Sequence, residues 1–244
     1  MIPRISFRSV ALAIALLIAC SFVVLGQTTL EPEAKFPFSE GTYWTYRGIV
    51  RWTHENSNKV SEIPVVWKME VRKNVRRENM LAAVVNGFPT DLDWSDSHPK
   101  PSDSLIVQSG GGRFYLIGSE QVDSVVKALQ DPNASLTSLL TEDEIFLVFP
   151  LTRGEKFCDP GGMARSDSHY CWVVESVDRV SLNNVKGIRS ASRTAYGIRY
   201  QTNPDDTEFT FVPGVGIVAY GYHHHGTTAD TELRLVEFHQ GANP

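Results

Sequence analysis

The chain is poor in cysteine, and its three cysteines are unevenly placed. Cys20 lies in an apolar N-terminal run, so only Cys158 and Cys171 remain for the rest of the chain. A thiolate metal site built on this pair would need further ligands, and the intervening loop offers only two aspartates and one histidine. The pair therefore favours a disulfide, which exported proteins can keep. A bridge over so short a loop stabilises a fold by about 3 kcal/mol in the chain-entropy model.

Excess positive charge is also absent. The formal net charge is −5 at pH 7, from 23 basic and 28 acidic residues. An acidic chain is a poor match for nucleic acid or for an anionic membrane surface. We therefore expect no nucleic-acid partner.

Several catalytic signatures are missing as well. The chain has no Gly-x-Ser-x-Gly nucleophile elbow, so no motif in the sequence indicates an α/β-hydrolase. The glycine-rich segment 109–113 lacks the Lys-Ser/Thr ending of a phosphate loop, and segment 213–221 leads into a strand pattern rather than a helix. We expect no cofactor.

What the chain does have is an apolar run, Val10–Leu25, preceded by Arg4 and Arg8. This pattern is typical of a secretory leader, and the run is shorter than the ~20 residues of a membrane span. We assign residues 1–26 to a leader, residues 27–35 to a linker and residues 36–240 to a single β-rich domain.

Two modes of leader processing stay open. Leu17–Cys20 has the form of a lipobox, which would make Cys20 a lipidation site in a bacterial lipoprotein. Ordinary cleavage near Gly26 is the alternative, because the apolar run continues beyond Cys20. Both modes place the domain outside the cytoplasm, in the periplasm, anchored at the outer membrane or secreted. Membrane contact is then expected only through a lipid anchor.

Alternation with a period of two dominates the remaining sequence and predicts β-strands. In segment 65–72, for example, four apolar residues share one face and three charged residues share the other. A stripe of three valines and one leucine in segment 122–129 predicts one amphipathic helix, with Ser119 as its cap. We also predict a strand over Val185–Ser192 and a capping box at Thr141 and Glu144. The fold class is mainly β: an antiparallel curved sheet or half-open barrel with one packed amphipathic helix.

A nine-residue pattern occurs twice, as FPFSEGTYW in Phe36–Trp44 and as FPLTRGEKF in Phe149–Phe157. It marks either a recurring way of entering a strand or a duplication of two β-rich halves. The first copy, read as Pro-x-x-x-Gly-x-x-Trp-x-Tyr, and the later Pro-Gly-Val-Gly at Pro213–Gly216 resemble a loosely defined group of exported bacterial β-rich domains, secreted or lipid-anchored. The resemblance implies no catalytic residues and no characterised function. The second copy departs from the group's usual tryptophan at Phe157.

Four aromatic residues, Trp44, Tyr46, Trp52 and Trp67, lie on apolar strand faces. They either fill a core or line a concave sheet that holds an apolar ligand. The sequence alone leaves both interpretations open.

The run His223-His224-His225 is the most conspicuous metal motif. In a strand His223 and His225 would share one face, and Asp230 or Glu232 could add a ligand for zinc or copper. The polar sequence around the run instead favours an exposed hairpin tip, so we favour no metal site.

A second candidate metal motif is an acidic segment with Asp91, Asp93, Asp96 and His98, whose oxygen ligands are suited to calcium. Its spacing does not match a calcium-binding loop, and we expect a solvated loop around Trp94. The leading functional hypothesis is an exported or envelope-anchored, non-catalytic module that binds an apolar small molecule or an envelope protein. The alternatives are a metal-dependent hydrolase using His223 and His225, or a purely structural assembly domain.

Overall fold

Twelve strands pair into one antiparallel sheet in the part of the chain that the structure describes. A computed structural model describes residues 36–54, 57–94, 99–136, 139–189 and 191–242. The strands are β1 (Tyr43–Thr53), β2 (Val60–Arg77), β3 (Met80–Asn86), β4 (Asp103–Ser109), β5 (Arg113–Ile117), β6 (Ile145–Val148), β7 (Lys156–Phe157), β8 (Trp172–Ser181), β9 (Ser192–Gln201), β10 (Asp205–Val212), β11 (Gly216–His224) and β12 (Ala229–His239). The sheet curves into a nearly closed barrel, which confirms the predicted fold class.

The chain crosses the sheet as two meanders of six strands. The order is β6-β5-β4-β3-β2-β1-β12-β11-β10-β9-β8-β7, so the two meanders meet in the middle, where β1 pairs with β12. The edges of the sheet are β6 and β7, and these two strands lie close to each other. We call this approach of the two edges the seam.

The repeated nine-residue pattern begins each meander. In both copies the eighth residue is the first residue of a strand, β1 or β7. The glycine at the sixth position has a positive φ in both copies, 77° at Gly41 and 85° at Gly154, a conformation that costs glycine little. The glycine therefore has the same conformation in both copies, and the pattern has the same place in each half.

The similarity of the halves continues into the following strand. The N–H of Gly41 donates to the carbonyl of Val71 at 2.9 Å, and the N–H of Gly154 donates to that of Val174 at 2.7 Å. Both β2 and β8 then carry a bulge immediately after this valine. Agreement over two strands and a bulge favours duplication of a six-strand unit over a recurring strand entry.

The core lies between the inward faces of the strands, as the period of two predicts. In β1, Trp44, Tyr46 and Val50 are buried while Arg47 is exposed. The alternation places large apolar side chains on one face, and their burial contributes about 1.5–3 kcal/mol each. Phe114, Phe146 and Phe211 are among the other fully buried aromatic residues.

The predicted helix is present as α1 (Val122–Gln130), and it contacts β2 and β4. Its buried residues are Val122, Val125 and Leu129. Ser119 is not its cap: the N-cap is Gln121, whose N–H already closes a turn onto the carbonyl of Gly118, so the helix begins two residues later than predicted.

The remaining helices are short. They are α2 (Pro160–Met163) and 3-10 helices at Pro89–Leu92 and Glu142–Glu144, the second of which has the predicted capping box. No helix in the described residues is long and apolar enough to cross a membrane.

The strand predicted over Val185–Ser192 is wrong. Segment 182–189 is a turn, in which the backbone of Lys186 bonds to that of Val236 and Phe238 in β12. Gly187 follows with a φ of 89°, and an added Cβ there would lie 1.9 Å from the carbonyl oxygen of Phe238. This close approach to β12 is incompatible with a regular strand, which begins only at Ser192.

Candidate functional site

A disulfide between Cys158 and Cys171 holds a loop at the seam. The two Cα atoms are 4.8 Å apart, and the pairing is the one that the cysteine count predicts. Inside the loop Asp159 caps α2 by accepting hydrogen bonds from the N–H groups of Gly161 and Gly162 at 3.0 and 2.9 Å. An aspartate before a proline is a favoured start of a helix. The loop is therefore tied down by a covalent bond and by a cap.

The loop forms one wall of a cavity of about 420 Å³. The opposite wall comes from the residues that lead into β6, and the floor comes from β8 and β9. We call this space the seam cavity, and its lining consists of Glu142, Asp143, Ile145, Cys158, Asp159, Gly161, Gly162, Arg165, Tyr170, Trp172 and Tyr200. It brings together side chains from both edges of the sheet.

Three aromatic side chains line the seam cavity. Trp172 lies directly opposite Tyr200 in the pairing of β8 with β9, and their ring centroids are 5.0 Å apart. Trp172 also contacts the ring of Phe209 edge-on at 5.1 Å. The N–H of Tyr170 donates to the carbonyl of Gln201 at 2.8 Å, which places the tyrosine beside the same strand pair. These contacts hold the ring of Trp172 between those of Tyr200 and Phe209.

Ion pairs engage part of the charge around the cavity. Arg113 donates to Glu142 at 2.9 Å, and Arg165 donates to Asp167 at 2.7 Å. The hydrogen bond from Arg165 lowers the pKa of Asp167 to about 2. Both pairs are solvent-accessible, so they fix side-chain positions more than they stabilise the fold.

Burial raises the pKa of the Tyr200 hydroxyl above its ordinary value, and the nearby Tyr170, Asp143 and Asp159 raise it further. The two carboxylates thus act on the same ring that lines the cavity.

The four aromatic residues singled out in the sequence do not line the seam cavity. Trp44 donates to the carbonyl of Val215 at 2.6 Å, and Tyr46 donates to that of Ile217 at 3.0 Å. Both are fully buried, and burial raises the pKa of Tyr46 well above its ordinary value.

Trp67 and Trp52 also belong to the interior face of the sheet. Trp67 is buried and donates to the carbonyl of Gly87 at 2.8 Å. Trp52 is half-buried and packs against the core. The structure thus places these aromatic residues as core packing, the first of the two interpretations that the sequence left open.

His223 and His225 do not share one face of a strand, as they would if the strand continued through both. β11 ends at His224, so His225 lies beyond the strand, where it is exposed and its N–H donates to the carbonyl of Pro204 at 2.6 Å. His223 approaches Asp230 with an Nδ1–Oδ1 distance of 3.4 Å. Among the described residues no group of three His, Cys, Asp or Glu side chains is placed to hold a metal ion.

His223 instead lines a second concavity of about 600 Å³ on the other face of the sheet. This outer groove crosses β1, β12, β11, β10, β9 and β8, and small residues such as Ala219, Gly221 and Gly197 form its floor. Its walls carry charges of both signs, including Arg234 and Glu232.

A polar cluster at one end of the barrel was not predicted from the sequence. Tyr220 donates to Asp93 at 2.5 Å, and Tyr222 and His224 both bond to Asp205, at 2.7 and 2.8 Å. The signal was present, because residues 220, 222 and 224 share one strand face.

The prediction of a solvated loop around Trp94 is also partly wrong. Trp94 is 58% exposed, but its ring packs on His224 at 4.2 Å, and Leu92 beside it is fully buried. Burial raises the pKa of Asp93 well above its ordinary value, because the loop turns this carboxyl inward. Asp91 accepts hydrogen bonds from Ser102, while Asp96 and His98 lie outside the described residues, as does Cys20.

The fold and cavity define a twelve-stranded, nearly closed antiparallel barrel with an aromatic and acidic cavity at its seam. No protein-family model and no curated protein matches the chain. The comparison with solved structures found matches at low identity. One is a protein of Bacteroides fragilis, described as an inferred exported protein with a YmcC-like fold, at 14% identity and a TM-score of 0.41 over 84% of this chain and 98% of that one. Another is an inferred lipoprotein of Parabacteroides distasonis, at 12% identity and a TM-score of 0.34 over 84% and 97%.

Proposed function

We propose that the protein is a non-catalytic ligand-binding module of an extracytoplasmic compartment and that the seam cavity is its binding site. The observation that carries the proposal is the convergence of three aromatic side chains and several polar groups on one concave space of about 420 Å³. Ligand sites in proteins are concave spaces of about 300–1,000 Å³ that combine apolar or aromatic walls with a few placed polar groups.

Three of the charged side chains in the lining already have partners within the protein, which supports binding rather than catalysis. Glu142 is paired with Arg113, Asp159 caps α2, and Arg165 is paired with Asp167. Each of these groups holds the cavity wall in place. A catalytic acid or base would need to be free to exchange its proton with a substrate.

The disulfide supports the extracytoplasmic part of the proposal. Cys158 and Cys171 are bonded to each other and shape the cavity wall. Disulfides persist in oxidising compartments and are rare in the cytosol. A site that depends on this bond is suited to a protein that works after export.

Ligand-observed NMR on the purified, disulfide-intact protein would test the proposal. A suitable panel contains a cation (choline), its neutral isostere (3,3-dimethylbutan-1-ol), a sugar (N-acetylglucosamine) and two anions (octanoate and succinate). We expect saturation transfer to at least one probe, and we expect Tyr200→Leu to abolish it. Tyr196→Leu is the matched control, because Tyr196 is a half-buried tyrosine four residues earlier in β9 that does not line the cavity. Equal signals from both variants, or no signal from any probe, would refute the proposal.

A further inference from the structure

The rings of the seam cavity can attract a positive charge. Tyr170, Trp172 and Tyr200 line one space, and the face of an aromatic ring carries negative potential that attracts ammonium and guanidinium groups. The cavity already contains one such contact: the Arg165 guanidinium lies 5.1 Å from the centroid of the Tyr170 ring. A cation of the protein itself therefore already lies against an aromatic ring of this cavity.

The charges of the lining favour a further cation. Three lining residues carry carboxylates, and Arg165 is the one lining residue with a guanidinium or ammonium group. Arg165 is neutralised by Asp167 outside the lining, and Glu142 by Arg113.

Two carboxylates, Asp143 and Asp159, are left without an ion-pair partner among the described residues. Both act on the ring of Tyr200. Burial is the main cause of the raised pKa of this hydroxyl, and the negative field of the two carboxylates, which adds to it, would stabilise a cation beside the ring. Aromatic faces and unbalanced carboxylates thus point to the same class of ligand by two independent routes.

We infer that the seam cavity binds an organic ammonium group, with the adjoining rings of Trp172 and Tyr200 on one side of it and the carboxylate of Asp143 on the other. This inference rests on the proposed function and names its ligand class. A cavity of about 420 Å³ has room for a small ammonium compound or for the headgroup of a larger one.

Calorimetric titration of the disulfide-intact protein with choline and with 3,3-dimethylbutan-1-ol tests the charge directly. The two molecules have the same shape, and only choline is charged. We expect choline to bind at least about fivefold more tightly, and we expect its affinity to fall as salt is added. Equal affinities would overturn the inference.

A charge-removing variant locates the effect. Asp143→Asn should weaken choline binding about two- to fivefold. Asp178→Asn removes the same charge from an exposed position of β8 outside the cavity lining, and it should leave the affinity unchanged. Equal losses in the two variants would show a general effect of net charge and would also overturn the inference.

The probe panel separates this inference from the proposed function. If a neutral or anionic probe binds in a Tyr200-dependent way while choline does not, the cavity is a binding site and the inference about its ligand fails. If no probe binds, both fail.

Vesicles distinguish the source of the ammonium group. Flotation with phosphatidylcholine vesicles but not phosphatidylglycerol vesicles, reversed by free choline, supports a lipid headgroup. Choline binding without flotation supports a free small molecule. Equal flotation with both vesicle types contradicts recognition of the ammonium group.

Discussion

One arginine of the sheet holds the end of α1, the longest helix in the described residues. The guanidinium of Arg77, in β2, donates to four carbonyl oxygens at the C-terminus of α1 and just beyond it: those of Ala128 and Asp131 at 2.9 and 2.7 Å, and those of Pro132 and Ala134 at 3.1 and 2.8 Å. The carbonyl groups at the end of a helix have no partner within it, and their partial negative charge favours a cation. The arginine thus satisfies several of these groups at once.

Replacing Arg77 with methionine should lower the free energy of unfolding by about 3 kcal/mol. Two of the four bonds, to Ala128 and Ala134, are part-buried, and a hydrogen bond from a charged donor contributes at least about 1.5 kcal/mol. The two exposed bonds are left out of this figure because water can replace them. Methionine keeps an unbranched stem like the apolar part of arginine, so the change reports mainly the lost hydrogen bonds.

Urea denaturation followed by circular dichroism measures this loss. Arg76→Met is the matched control, because Arg76 precedes Arg77 in the same strand but is exposed. Arg77→Lys should recover only part of the stability, since an ammonium has three donors and lacks the planar fork. Hydrogen exchange in residues 122–134 should accelerate in Arg77→Met. Equal denaturation midpoints for Arg77→Met and Arg76→Met would refute the reasoning.

Three other changes have definite expected results. Replacing Cys158 and Cys171 with alanine should lower the free energy of unfolding by about 3 kcal/mol in urea denaturation, because the bond closes a loop with a separation of 13 residues. Trp67→Ala should cost about 3–5 kcal/mol in the same assay, since it empties a buried site and removes a hydrogen bond. The free energy of unfolding of Asp93→Asn should increase relative to that of the wild type as pH rises from 4 to 8. The raised pKa means that the folded protein holds this proton more tightly than the unfolded chain, so the wild type loses stability as pH rises towards the folded-state pKa. Asp178→Asn should show no such trend, and a parallel trend in both variants would contradict this account.

Most of the fold was predictable because one face of the sheet is buried. Alternation in β1 and β2 predicts both the strands and their inward residues, and the stripe of α1 predicts its buried side. The failure at Val185–Ser192 has a local cause: Gly187 needs a positive φ to pass close to Phe238. Such a contact is made by a residue about fifty positions away, and no local period reports it.

The candidate site was less predictable than the fold. Cysteine arithmetic correctly indicated the disulfide, but the aromatic residues chosen for a ligand were those with the strongest strand pattern, and such residues belong to the core. Trp172 and Tyr200 have a weaker pattern, because each is only half-buried. They become neighbours through the pairing of β8 with β9, whose register the sequence alone does not specify.

The similarity of the two halves explains why the cavity lies at the seam. The junction of β1 with β12 in the middle of the sheet corresponds to the junction of β7 with β6 at its edges, since β1 and β7 begin the two halves. β1 has eleven residues and pairs along its length with β12, whereas β7 has two.

The sequence shows what shortens β7. Phe157 is followed by Cys158, Asp159 and Pro160, and these residues start a disulfide-bonded loop and cap a helix instead of extending the strand. Proline has no N–H to donate to a neighbouring strand. In the first half the chain continues as a strand at the equivalent point and closes the sheet. In the second half it leaves the sheet, and the space beside β6 that a longer strand would fill is the seam cavity.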